Sequence, residues 1–161
     1  MNWTYRGKEV KSIKDLPKDT VGFVYRIEDE NGKFYIGKKS LVSKLNTEVS
    51  KNVYDNLKKE GFPVTKTKNK AKSKKGSVVW RYKKKVQKET NWQKYTGSNV
   101  DLNANIKKGL KYSKEIIQVC KNSKQMSYYE TKHQICNGVI EENNNSWNEN
   151  ILGKYFHKDL K

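Results

Sequence analysis

The chain has 161 residues, 35 Lys+Arg against 17 Asp+Glu, and a net charge of +18, which bounds it to about one ordinary domain with an embellishment. So strong a positive charge opposes compaction and points to a polyanionic partner, nucleic acid first. Two cysteines without a CxxC and only two histidines argue against a zinc site or a disulfide scaffold, and no apolar run nears the ~20 residues of a membrane span.

Residues 1–20 hold a small turn at Arg6-Gly7, then Ile13, Leu16 and Pro17, and read as a lead-in that covers a hairpin at 21–38. The opening Met-Asn-Trp-Thr-Tyr has no apolar h-region, so the expectation is a cytoplasmic chain. Cys120 and Cys136 are expected as reduced core residues. Residues 21–28 and 33–38 are two short apolar runs around Asn31-Gly32, the strongest short-range hairpin signal. With a two-residue loop Glu28 would face Tyr35, and Tyr25 would point to the other side. With a three-residue loop (Glu30, Asn31, Gly32), Gly32 takes the left-handed bulge position. Tyr25 then pairs with Gly37 and Ile27 with Tyr35. Cross-strand partners share a face, so the longer loop gathers Tyr25, Tyr35, Gly37 and Lys39. We take that register. Gly37 lacks a side chain, which would let a phosphate approach the Tyr25 phenol.

Val49, Val53 and Leu57 recur at helical spacing, with Thr47 as a cap and Gly61 as a stop, predicting a helix over about 47–60. The run at 66–76 is basic and of low complexity. It reads either as a solvated linker or as a DNA-contacting arm carrying Lys70, Lys72, Lys74 and Lys75. Over residues 78–95, Trp80, Tyr82, Val86, Trp92 and Tyr95 stand among Arg81 and lysines. They fit a nucleic-acid surface, or an amphipathic helix with a buried aromatic face, which we favour. Ser98 and Asp101 open a helix of about ten residues ending at Gly109. Glu115–Cys120 is β-branched and reads as a third strand. Ser123 caps a helix through Asn137, with Met126, Tyr129, His133 and Cys136 on one stripe and Glu130 at its edge. An Asn-rich tail leads to Trp147-Asn148.

Only Arg6, Arg26 and Arg81 are arginines. Lysine binds phosphate as a point charge, whereas arginine reads bases by a rigid fork, so the composition favours backbone contact.

The order of hairpin, helices, strand, acidic helix and Asn-bearing segment resembles the GIY-YIG nuclease family, especially the free-standing endonucleases of tailed phages. Gly22-Phe23-Val24-Tyr25 stands where the family has Gly-Ile-Tyr, either with one extra residue between Gly and Tyr or with Phe-Val-Tyr as the matching triplet, and Tyr35-Ile36-Gly37 matches the second element. Tyr-Tyr-Glu-Thr-Lys at 128–132 resembles the helix with the metal-binding glutamate, and Trp147-Asn148 the late aromatic-Asn element. The resemblance implies an α+β fold, a small three-stranded antiparallel sheet flanked by helices, over residues 21–152. Residues 1–20 would be a lead-in, about 40–78 a Lys-rich insertion, and 153–161 a tail.

The resemblance also implies a DNA endonuclease using Mg²⁺ or Mn²⁺. Tyr25 would be the general base, Tyr35 the second phenol, Glu130 the metal ligand, and Asn148 the residue closing the site. Lys38 and Lys39 would help to lower the Tyr25 pKa toward neutrality. The family's arginine on the first helix has no counterpart in residues 38–60. Arg81 would hold the scissile phosphate, or Lys39 or Lys94 would substitute; Lys38 and Lys94 are further expected DNA contacts. The alternative is a non-catalytic nucleic-acid binder on a degenerate nuclease scaffold. A ribosome-associated basic protein would explain the lysines and leave the tyrosine-glycine pattern unexplained.

Overall fold

The computed structural model describes residues 1–68 and 79–160. In chain order the first strands are β1 (Trp3–Tyr5), β2 (Lys8–Val10), β3 (Gly22–Asp29), β4 (Phe34–Ser40) and β5 (Val42–Val49). Then come α1 (Lys51–Lys59), β6 (Val64–Lys68), β7 (Trp80–Glu89) and α2 (Val100–Lys107). The chain continues through β8 (Tyr112–Cys120), α3 (Ser123–Cys136), β9 (Asn150–Ile151) and β10 (Tyr155–Phe156). The class is α+β. Two compact units form, Met1–Leu41 with Thr90–Lys161, and Val42–Glu89.

The first unit is built on the hairpin, in the register that the three-residue loop predicts. Tyr25 pairs with Gly37 and Ile27 with Tyr35. The Asp29 N–H donates to Lys33 O at 2.9 Å, closing Glu30-Asn31-Gly32, and Gly32 sits at φ +74°, the conformation glycine adopts without strain. The Asp29 carboxylate accepts from the N–H groups of Asn31 and Lys33, so these two donors are satisfied locally, while the Glu30 N–H donates to Lys111 O.

The sheet has five strands, β2-β1-β8-β3-β4, where three were expected. The antiparallel trio β8-β3-β4 is present. Two more strands come from residues 1–20, read from the sequence as a lead-in. Arg6 and Gly7 both have positive φ (50° and 76°), which folds β1 back on β2 as a tight hairpin. β1 then adds to β8 in parallel. What holds it there is Trp3, 1% exposed. Its ring packs edge-on against Phe23 and Tyr25, and its indole N–H donates to Trp92 O at 2.7 Å. Three-residue strands give little periodic signal, which is why composition alone left them as a cover.

β3 is buried on both faces. Phe23, Tyr25 and Ile27 join Trp3, Trp92, Leu102 and Ile116 in one core. Val24 joins Ile36, Met126, Val139 and Ile151 in the other. That accounts for its nearly unbroken apolar sequence. β8 carries a bulge opposite Val24/Tyr25, which keeps Ile116 beneath Tyr25 while Cys120 enters the second core. Cys136 is exposed, contrary to expectation, because the buried face of α3 carries Met126 and Gln134 rather than the Tyr129–Cys136 stripe. Asn122, one residue before the expected Ser123, caps α3 by accepting from the Gln125 N–H. In the same way Asn99, not Ser98, caps α2.

The second unit is a three-stranded antiparallel sheet, β5-β7-β6, with α1. The helix expected over 47–60 begins later, capped by Ser50, because 42–49 is a strand. The amphipathic helix expected within 78–95 is instead a ten-residue strand, β7, followed by a 3-10 turn at Trp92–Lys94. Alternating aromatic and basic residues at Trp80, Arg81 and Tyr82 have period two, and pairing on both sides selected it. The chain leaves the first unit at Leu41 and re-enters at Thr90, whose N–H donates to Leu41 O at 2.8 Å. Lys70, Lys72, Lys74 and Lys75 lie outside the described residues. Among the described residues no helix is long and apolar enough to cross a membrane.

Trp3→Ala is expected to cost about 3–5 kcal/mol, the range for removing a buried aromatic. A circular-dichroism melt should therefore show a midpoint lower by roughly 6–20 °C; an unchanged midpoint would mean that β1 is dispensable.

Candidate active site

β4 is an edge strand, and the site is built around its open edge. Alternation along β4 places Tyr35, Gly37 and Lys39 on one face and Ile36 and Lys38 on the other. Tyr35 comes to the edge from the Tyr25 side, and α3 brings Glu130 from the other. A cleft of about 500 Å³ runs between them, lined by Tyr35, Lys38, Ser98, Glu130, Asn148 and Glu149 among others.

The phenols form a packed group. Tyr25 is 1% exposed, with its ring 6.1 Å from that of Tyr35 and 6.1 Å from that of Tyr95, the latter edge-on. Gly37 is required here: a Cβ on it would fall 2.5 Å from the Tyr25 hydroxyl oxygen and 2.9 Å from a Tyr35 ring carbon. The room that glycine leaves is filled by the phenols themselves. Gly97, at φ +92°, closes over the same rings, with a Cβ position 3.1 Å from Tyr35. The Tyr35 hydroxyl shares a 3.0 Å hydrogen bond with the Ser98 hydroxyl.

Burial pushes the Tyr25 phenol well above the ordinary value of about 10, and Tyr35, Tyr95 and Glu130 push it further. Burial also raises Tyr35, against a lowering by its bond to Ser98. Both phenols therefore hold their protons at neutral pH, opposite to the direction expected from nearby lysines. The lysines are engaged elsewhere. The Lys39 ammonium lies 3.8 Å from the Tyr95 ring centroid and donates to Asn91 Oδ1 at 2.9 Å, and partial burial lowers its pKa. The Lys38 ammonium pairs with Glu130 Oε2 at 2.8 Å and donates to Ser127 Oγ at 3.1 Å.

The Glu130 side chain is 15% exposed, held inward by the buried face of α3 between Met126 and Gln134. Asn148 is buried and clamps the edge strand. Its Oδ1 accepts from the Ile36 N–H at 2.9 Å, and its Nδ2 donates to Ile36 O at 2.8 Å. Gln134 Nε2 donates to the same carbonyl at 3.1 Å. The Ile36 backbone groups at this edge are thereby satisfied by side chains, while those of Phe34 bond the backbone of Asn145 and Trp147.

Tyr25, Tyr35, Glu130, Asn148, Lys38 and Lys39 are thus gathered in the first unit. Arg81 is on β7 of the second unit, where its guanidinium pairs with Glu48 at 3.2 Å. Lys94 ends the 3-10 turn after Trp92 and lines a different cavity, with Trp3 and Lys114. Sequence reasoning missed Tyr95, Gly97 and Ser98 as site residues, and Glu149, whose carboxylate accepts from Asn99 Nδ2 at 3.0 Å. Tyr95-Thr96-Gly97-Ser98 did carry a signal: a glycine between polar residues and an aromatic just ahead of a helix cap.

Among the described residues no three His, Cys, Asp or Glu side chains cluster as a metal cage. The donor set suits a hard cation that keeps most of its water, with Glu130 as the carboxylate and space beside it in the cleft.

The family model described as "Putative endonuclease segE, GIY-YIG domain" matches residues 3–156. The match covers nearly the whole chain, so the chain belongs to this GIY-YIG family. No curated protein and no solved structure matches it.

Asn148→Ala should cost about 1–3 kcal/mol, because the Ile36 N–H loses its partner at a buried edge while the Ile36 carbonyl keeps only Gln134. Urea denaturation measures this; a midpoint equal to wild type would show the clamp to be dispensable.

Proposed function

We propose that this GIY-YIG family member is an endodeoxyribonuclease that hydrolyses DNA phosphodiester bonds in the cleft along β4, with Mg²⁺ or Mn²⁺ held by Glu130. The observation that carries the reading is the convergence of Tyr35, Glu130 and Lys38 on one cleft at an edge strand fixed by Asn148. The metal, when bound, would neutralise charge on the phosphoryl oxygens and on the departing 3′-oxygen.

The chain's own residues supply the rest. Lys38 is already drawn into the cleft by Glu130, and in this proposal it moves from the carboxylate to a non-bridging phosphate oxygen. That gives the cleft a cation from the first unit, the role first expected of Arg81. Tyr35, oriented by Ser98, holds the attacking water by its hydroxyl. Water attacks phosphorus and gives its proton to the Tyr35 phenolate, the P–O3′ bond breaks to leave a 5′-phosphate, and the departing 3′-oxygen takes a proton from solvent water to end as a 3′-hydroxyl. Tyr25, buried and packed on Tyr95, supports from behind the Tyr35 ring that lines the cleft. Tyr25 remains the alternative proton acceptor. Either phenol must first lose a proton that burial makes hard to lose, so base strength is high and availability low at neutral pH.

Supercoiled plasmid at low salt should be nicked by wild type with Mg²⁺ and not with EDTA. Glu130→Gln should lower nicking by at least ~100-fold while DNA binding persists. Binding without nicking by either protein, with Mn²⁺ also tried, would instead establish a non-catalytic binder.

Raised phenol pKa values set the pH profile. The phenolate fraction grows tenfold per pH unit until the pKa is reached, so log rate should climb with slope near one from pH 7 to 9 without a plateau. Tyr35→Phe should lower the rate by about 10²–10⁴-fold and flatten the slope. A plateau below pH 8, or wild-type rates in Tyr35→Phe, would remove the phenol from the proton transfer.

A further inference from the structure

The segment Val42–Glu89 holds 15 of the chain's 35 Lys and Arg residues but only 4 of its 17 Asp and Glu residues, a net +11 of the total +18. It also folds as a compact unit, so the charge is carried on defined strands as well as on the residues outside the described part. The sheet has two unlike faces. On one, α1 packs with the Tyr54 ring 5.0 Å from that of Tyr82, and the cross-strand partners of Tyr82 are Val49 and Lys66.

Alternation puts Arg81, Lys83 and Lys85 on the opposite face. Their neighbours there come from the register: Glu48 and Thr65 beside Lys83, Asn46 beside Lys85, Thr67 beside Arg81, and Lys44 beside Gln87. This stretch of the face has no apolar side chain. Lys44, Arg81 and Lys85 are exposed and Lys83 is half-buried. Glu48 is taken by Arg81; among the described residues, Lys44, Lys83 and Lys85 have no carboxylate within ion-pairing distance.

We propose that this polar face of the β5-β7-β6 sheet binds duplex DNA through its phosphates, as an anchoring surface additional to the cleft. The inference rests on the reading of the chain as a DNA-cutting enzyme. Between Arg81 and Gln87 the face carries no aromatic or aliphatic anchor of the kind that centres a protein interface, which favours a polyanion. Lysines two residues apart on a strand lie about 6.8 Å apart, and a duplex carries one charge per ~1.7 Å of axis, so each flexible stem finds a phosphate. Lysine, threonine and asparagine supply backbone contacts more than base reading, so this anchoring is tolerant of sequence.

The test uses the full chain carrying Glu130→Gln, in EDTA, with a fluorescent 30-base-pair duplex read by anisotropy. Lys44→Gln/Lys83→Gln/Lys85→Gln is compared with Lys51→Gln/Lys58→Gln/Lys59→Gln on exposed α1 positions, which removes the same charge. The face triple should bind at least tenfold more weakly at about 0.1 M salt, and its log–log salt slope should shrink by about 2–3, near 0.9 for each phosphate no longer neutralised. The α1 triple should stay within about threefold. Lys→Arg at the three face positions should keep binding. If the glutamine triple fails to fold by circular dichroism, the exposed Lys85→Glu alone should cost at least threefold. Equal losses in the two triples would mean bulk charge only, and would overturn the proposal. So would unchanged binding by the face triple, or tighter binding of single-stranded DNA or duplex RNA through the same lysines. Because binding is read without metal, a wild type that does not nick would sink the catalytic reading alone.

Discussion

The register of one hairpin sets the geometry of the site. Tyr25 opposite Gly37 is a pairing that a slip of one residue would destroy, sending Tyr25 to the opposite face. Gly32 at positive φ and the Asp29 carboxylate fix the three-residue loop. Gly37 then leaves the volume into which the Tyr25 and Tyr35 rings pack. The two glycines act sterically: another residue would strain the backbone at Gly32 and meet a ring at Gly37.

The same packing sets the chemistry. Rings from Trp3, Tyr35 and Tyr95 surround Tyr25, and its burial among them raises its pKa. Positions that look reactive in sequence are thus held in the protonated form by their own core. The charged partners sit at the rim instead, where Lys38 and Glu130 form an ion pair and the cleft opens. Asn148 joins the two regions. Its amide satisfies Ile36 at the strand edge, so the edge that carries Tyr35 is fixed without a sixth strand covering the cleft.

Charge is distributed by a different logic from apolar surface. The first unit has two cores on either side of β3, whereas most of the net positive charge falls within Val42–Glu89. That unit begins and ends at neighbouring points, Leu41 and Thr90, joined by a backbone hydrogen bond. Such an insertion adds little closure entropy to the host fold, which lets a basic sheet be carried without disturbing the site strands.

Sequence alone determined the hairpin, its loop length and the Tyr25–Gly37 pairing, because those are set by local turn chemistry and a period of two. It also located the third strand, the acidic helix and the family, since each leaves a pattern within a dozen residues. Tertiary structure decided what depended on distant partners. β1 and β2 are too short to show a period and exist because Trp3 finds a core made by residues 23, 25 and 92. β7 is a strand and not a helix because β5 and β6 pair with it on both sides. The inward face of α3 was set by the sheet it packs on, which turned Glu130 toward the cleft and Cys136 toward solvent. Asn148 could be named from sequence, but its hold on Ile36 could not, because a hydrogen bond across 112 residues is specified by the fold and not by any local pattern.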